Sequence, residues 1–385
     1  MSKNDFPESE FRARRERLRR AMEAAALDWL VVIHPASLHW LTGSETKGYT
    51  SFQCLLFPQR PAPLTMFARE LDRSELEEDS WVDEVRGWNG REPEDPMEAF
   101  AKLALDLKLT GSRVGMEVPA WYLHPNHHRS IKAMLGPSLA AEGTSLVQDL
   151  KLVKSPREIA YIRASARIAD DALAALLARV AEGRSELELA AAAYGTLLAA
   201  GSSQPASTMN LVTGERCHFV LAAPTPRQIR RGDPGHVEIG AAYHRYTATL
   251  GRVWNLGEPT ARLRELHAVI RAASDACIGA IRAGVPATVP HEAAKRMTTE
   301  AGLDQFRQHT SGYGIGPGFP PSWGEPVNLF GGNRYVLEAG MVVSVEPHLF
   351  IREERLGVRL IDNVLVTETG AELLSRHPRE LVPLP

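Results

Sequence analysis

The chain has 385 residues, 44% hydrophobic and 24% charged, the profile of a folded two-domain protein and not of a disordered one. Its 44 Lys and Arg against 47 Asp and Glu leave a formal charge of -3, which argues against a general nucleic-acid binder. Cys54, Cys217 and Cys277 share no CxxC spacing and cannot all pair, the charged N-terminus leads into no apolar run, and no stretch of about 18 apolar residues occurs. A reducing cytoplasmic location, without membrane or nucleic-acid partners, is the expectation.

The first element is a helix: Phe11, Leu18, Met22 and Ala25 fall near helical spacing, and its Arg-rich side is expected to face solvent. Residues 29–33 read as a buried strand ended by His34-Pro35, and 52–57 and 63–67 as neighbouring strands. A short strand at 114–118 and a helix around 128–135 complete an α/β N-terminal domain over residues 1–150. His124, His127 and His128 straddle Pro125 without nearby acids or thiols, and read as a solvated helix start, not a metal site. Ser155-Pro156-Arg157-Glu158 is a capping box with Pro at the first helical position, so a new helix begins there, with Ile162, Ala166, Leu173 and Leu176 on its apolar side. Gly183 ends it, and Ser185 to Glu188 caps a second helix. From Asn210 the pattern turns to strands, clearest at 236–241 and 246–254. Helices at 261–282 and 290–301 follow, then strands at 341–346 and 358–367. Residues 151–385 are expected to form one α+β domain.

Five segments of this second domain carry the chemistry: Cys217-His218-Phe219; Glu238-Ile-Gly240 running on to Tyr246 and Arg252; His309-Thr-Ser-Gly-Tyr313-Gly-Ile-Gly316; Glu338 through Glu346-Pro347; and Gly357-Val-Arg359-Leu-Ile-Asp362. In order and spacing they resemble the creatinase/aminopeptidase P/methionine aminopeptidase superfamily. The resemblance implies a pita-bread C-terminal domain behind a creatinase-type N-terminal domain. Metallopeptidases of that superfamily hold two divalent metals with two Asp, one His and two Glu. Here the first Asp position is Glu238 and the second, 11 residues on, is Thr249; the His position is Tyr313, one Glu survives as Glu346, and the last falls at Ile361. Clustered carboxylates are tolerable only while a cation balances them, so loss of acids together with metals is chemically coherent. The pattern implies a site without metal or other cofactor.

Creatinase, in the same superfamily, works without metal through a His at the position of His218 and a Glu at that of Glu346. Its other catalytic Glu falls at Gly251 here, which weighs against creatine. Arg245-Tyr246, Tyr313 to Gly316 and Pro320-Pro-Ser-Trp-Gly-Glu325 resemble ectoine hydrolase more closely; the last is read as a loop where peptidases carry another catalytic His. The implied activity is metal-independent hydrolysis of a non-peptide C–N bond in a small cyclic amidine. His218, Glu238 and Glu346 are the expected catalytic residues, and Tyr313, Arg359, His309 and Glu325 the expected substrate contacts, with Arg359 pairing either a substrate carboxylate or one of these acids. Glu238 and Glu346 should give the cleft a net negative potential. Cys217 beside His218 is not read as a nucleophile, since adjacent strand residues face opposite ways. The alternatives are a Xaa-Pro dipeptidase with an atypical metal set such as Glu238, Asp362 and Glu346, and a non-catalytic binding protein. By likeness to creatinase a homodimer is expected, with segments near Trp40 and residues 46–52 completing the neighbour's cleft.

Overall fold

Helix α1 (Glu8–Ala24) opens the structure, a computed structural model that describes residues 2–385 and divides into two units, the second beginning at Leu152. The helix buries Phe11, Leu18 and Met22 along one stripe, and Ala25 is its C-cap. Arg14 departs from the expected solvent-facing side. Its guanidinium lies 4.2 Å from the Phe6 ring centroid and 5.3 Å from that of Trp40, and it donates to the Trp40 carbonyl. A cation over aromatic faces with a satisfied donor can be buried.

The first unit continues with β1 (Trp29–Val32), α2 (Pro35–Thr42), β2 (Cys54–Pro58), β3 (Thr65–Arg69), α3 (Arg73–Asp79), β4 (Glu84–Trp88), α4 (Pro96–Asp106), β5 (Val114–Met116), α5 (Pro125–Leu135), β6 (Leu139–Glu142) and α6 (Thr144–Lys151). Its strands form one mixed sheet in the order β4-β3-β2-β1-β5-β6. His34 and His124 are the N-caps of α2 and α5: each Nδ1 accepts a backbone N–H two residues on, at 3.1 Å. Trp40 itself, near one of the segments expected to complete a neighbour's cleft, is only 1% exposed and belongs to this unit's core.

In the second unit, Ser155 and Glu158 close the capping box of α7 (Pro156–Leu177), and Glu158 also accepts from the Tyr246 hydroxyl at 2.6 Å. A second capping box starts α8 (Glu186–Ala199). Next come β7 (Asn210–Thr213), β8 (Pro234–Tyr243), β9 (Tyr246–Leu256), α9 (Ala261–Gly279), α10 (Thr288–Glu300), β10 (Tyr313–Phe319), β11 (Ser322–Asn328), β12 (Val342–Val345), β13 (His348–Ile351), β14 (Leu356–Arg359), β15 (Asp362–Val366), β16 (Ala371–Leu373) and β17 (Val382–Leu384). The main sheet runs β16-β15-β12-β10-β9-β8-β7, with β11 on β10 and β17 on β9, while β13 and β14 form a separate hairpin. The β8–β9 turn holds His244 and Arg245 at φ 50° and 64°, the left-handed pair whose twist suits a two-residue hairpin.

Burial sets which residues face the site. Val237, Ile239 and Ala241 of β8 and Leu250 and Trp254 of β9 enter one core with Leu173, Leu176 and Leu189 of α7 and α8. Strand alternation then puts His236, Glu238 and Gly240, with Thr249 and Gly251, on the opposite face, and a one-residue slip would bury Glu238 in that core.

Three expectations from the sequence change. Residues 358–367 are not one strand: Leu360 and Ile361 leave the ladder, and Ile361 exchanges both backbone hydrogen bonds with Gly251 at 3.1 Å. Cys217 does not lie on a strand but closes the 3-10 turn Gly214–Arg216; it is buried, and burial pushes its thiol pKa up, so it remains no nucleophile. Finally, the segment ending in Glu325 is less a loop than the start of β11, which pairs with the Gly-rich β10.

Candidate active site

Glu238 is 8% exposed, and its Oε2 accepts from Asn210 Nδ2 at 3.0 Å and from the Arg359 guanidinium. Arg359, the last residue of β14, also donates to the Val220 carbonyl and lies 5.3 Å from the Phe350 ring centroid. Of the two partners expected for Arg359 the structure has the acid: a buried carboxylate needs a partner, and Arg359, 121 residues away in sequence, supplies it, so the expected net negative potential of two unbalanced acids is corrected.

Glu346 follows β12 and is the second buried acid. Burial, and then the charge of Glu238, push its pKa up to about 8, against the pull of hydrogen bonds from Ser344 and Tyr313. Its Oε1 is buried with no protein partner among the described residues. Tyr313, at the start of β10, accepts from Trp323 Nε1 at 2.9 Å. Burial, and then Glu346 and Glu238, hold its pKa well above the ordinary value, so the hydroxyl stays protonated and donates a hydrogen bond to Glu346. Trp323 packs against Gly240, where an added methyl would stand 2.5 Å from its ring. Glycine there is a requirement of packing.

Three histidines border this group. His309 stands 6.4 Å from Tyr313 and 6.0 Å from His348, centroid to centroid, and lines a cavity of about 790 Å3 with Arg307, Thr310, Asn328 and Phe330. His348 directs Nδ1 at the Glu346 carbonyl oxygen, 2.8 Å away, and its pKa is lowered to about 3, chiefly by burial. His236 directs Nε2 at the Cys217 carbonyl, 3.0 Å away, and burial followed by the charge of Arg359 depresses its pKa. Sequence reasoning singled out neither His236 nor His348. The signal was available, since each lies two residues from a site carboxylate, Glu238 or Glu346.

The structure thus brings together Glu238, Glu346, Tyr313 and Arg359, with His309 beside them. His218 lies on the turn after β7, half-buried, with Nδ1 2.9 Å from the Glu215 carbonyl and its ring 4.3 Å from Phe219. That turn is tied to the site through its backbone, because Cys217 and Val220 supply the carbonyls that His236 and Arg359 bind. Glu325 stands apart from the group: it is ion-paired with buried Lys154 and packs over Gly314 and Gly316.

Residues 160–368 match the model of metallopeptidase family M24, more than half of the chain, and residues 14–153 match the creatinase/prolidase N-terminal domain. The chain belongs to family M24. Its architecture is therefore a creatinase-type N-terminal domain followed by a pita-bread domain. M24 relatives include the probable dipeptidase PepE of Mycobacterium tuberculosis, 29% identical over 98% of both chains, and the ectoine hydrolase of Halomonas elongata, 26% identical over 98% of both. The Xaa-Pro dipeptidase of Pyrococcus furiosus is 29% identical over 62% of this chain and 67% of its own. The crystal structure of dipeptidase PepE from Mycobacterium ulcerans superposes with a TM-score of 0.85 at 26% identity over 99% of both chains. A hydrolase of the M24 family is the activity class these relatives support.

The M24 metal pair does not fit the residues present. Thr249, Tyr313 and Ile361 offer no anionic or imidazole ligand, and the one acid at the first position is bound by Arg359. Ile361 packs on Gly251, where an added methyl would meet it at 2.7 Å, so a larger residue at 251 is also excluded. Asp362, a ligand in the atypical set considered above, is held on Oδ1 by Arg252 at 2.7 Å and on Oδ2 by Arg379 at 2.8 Å. Among the described residues, no group of three His, Cys, Asp or Glu is placed to share an ion.

Proposed function

We propose that this M24 protein hydrolyses a non-peptide C–N bond in a small cyclic amidine, without metal, in the manner of an ectoine hydrolase. The observation that carries the reading is the replacement of a metal-binding donor set by a guanidinium–carboxylate pair beside a second, protonated carboxyl group, Glu346. An amidinium is a planar cation with N–H donors in one plane, matched to carboxylate acceptors. Both bonds to Glu238 land on Oε2, and Glu346 keeps Oε1 unpaired, so each acid retains an acceptor for substrate.

The chemistry follows from these groups. His218 donates Nδ1–H to the Glu215 carbonyl, which leaves Nε2 as a lone pair able to take a proton from water. The water oxygen attacks the amidine carbon, His218 passes the first water proton to the departing nitrogen as the C–N bond breaks, and the remaining hydroxyl proton follows to the same nitrogen as the carbonyl forms. Amidinium and water become amide and ammonium, with charge conserved. Glu346, ionised by the bound cation, and Glu238 offset the positive charge as it moves to the leaving nitrogen, and Arg359 orients Glu238.

Dipeptide hydrolysis is the second reading, favoured by the likeness to the Pyrococcus Xaa-Pro dipeptidase and the probable Mycobacterium dipeptidase. A screen of the purified full chain with ectoine, creatine and Gly-Pro, followed by mass spectrometry, separates the two. Ring opening of ectoine that persists in chelator supports the proposal. Cleavage of Gly-Pro alone, lost in chelator and restored by a divalent metal, would overturn it.

A further inference from the structure

His348 has no part in the reaction above, yet its surroundings give it a defined chemical character. Its Nδ1 lies 2.8 Å from the Glu346 carbonyl oxygen, which carries no hydrogen, so Nδ1 bears the proton and Nε2 is a lone pair. His348 is 5% exposed, and its Nε2 is buried without a protein donor among the described residues. Register pairs His348 with Arg359 across β13 and β14, placing both on one face of the hairpin. Arg359 Nε and Glu346 Oε1 are also buried and, among the described residues, without protein partners. One donor is thus grouped with two acceptors, and buried polar atoms of this kind need a complement.

We propose that His348 is a specificity-determining, substrate-contacting residue whose Nε2 accepts an N–H of the ligand bound at Glu346. This deepens the amidine reading and rests on it. The ligand class narrows to cations bearing N–H toward β13, and N-alkylated cations of the same charge and shape are disfavoured. Ring packing alone, 5.2 Å from Phe350, would make His348 structural but would not make binding depend on the ligand's N–H.

The test compares tetrahydropyrimidinium with its N,N′-dimethyl form, binding to the full chain by calorimetry. Wild type should prefer the N–H form by about tenfold or more, the scale of a hydrogen bond to a charged donor. His348→Phe keeps a ring and removes the acceptor, and should lower that preference several-fold, leaving the share that the N–H bonds to the carboxylates supply, whereas His348→Gln, which retains an acceptor, should lower it less. His348→Leu substitutes if the Phe variant does not fold. A preference unchanged in folded Phe or Leu variants would overturn the role of His348 and leave the amidine reading standing. If wild type binds neither cation, the amidine reading falls and His348's role with it.

Discussion

Binding of a cationic ligand should expel the proton that Glu346 holds. In the unliganded site burial and Glu238 keep its pKa near 8, so at pH 7 about nine-tenths of the molecules carry a neutral Glu346. An amidinium beside Oε1 favours the carboxylate, and its affinity includes the free energy of removing that proton. At pH 6, two units below about 8, the penalty is about 3 kcal/mol, a factor of roughly 100. Affinity should therefore rise about tenfold per pH unit from pH 6 and level off above 8. Calorimetry at pH 7 in two buffers of different ionisation enthalpy should register release of about 0.9 proton per ligand bound. Glu346→Gln cannot exchange this proton and should show neither effect, which separates Glu346 from the nearby histidines. Equal affinity at pH 6 and 8 with buffer-independent enthalpy in wild type would refute the argument.

The same group governs stability in the absence of ligand. Its folded pKa is raised from 4.5 to about 8, so its contribution is fully present below pH 4.5 and is lost as pH rises through 8, by up to about 5 kcal/mol. Glu346→Gln should therefore unfold at higher denaturant than wild type at pH 8.5, and the difference should shrink toward pH 4.5; a variant no more stable at high pH than at low counts against the buried acid. His218→Ala should lower turnover by roughly 100-fold or more with an unchanged melting curve; activity within a factor of a few of wild type would make His218 structural. Arg359→Met strands Glu238 in a buried position and should cost about 3–5 kcal/mol in denaturant unfolding, part of which Glu238→Gln restores. Additive single and double variants would show that the pair does not interact.

What the sequence revealed was mostly local. The cap at Ser155 and Glu158, the helix it starts and the β8–β9 pair follow from side chains a few residues apart. Strand β10 escaped because Tyr-Gly-Ile-Gly-Pro-Gly-Phe is poor in strand formers; its glycines answer to Glu325 packing across them from β11. Buried Arg14 is met by local groups, Phe6, Phe11 and the Glu10 carboxylate, but the burial itself is completed by Trp40 from α2, which no local pattern reveals. In the site, the positions of the acids were readable from motif spacing, but their charge balance was not. Whether Glu238 faces a cation depends on Arg359 reaching it from another hairpin, and the neutral state of Glu346 depends on depth of burial.

The contact between Ile361 and Gly251 bears on how such a site can change over time. Returning a two-ion centre would require acids at 249 and 361 and an imidazole at 313, together with release of Glu238 from Arg359. Any one of these steps alone adds an uncompensated charge or an unmatched polar group next to Glu346 before an ion can be held. The intermediates are thus less stable than either end, and the Ile361 side chain seated on Gly251 acts as a ratchet. Efforts to convert the protein into a metal-dependent peptidase should begin from all of these positions at once, because a stepwise path runs uphill from the first substitution.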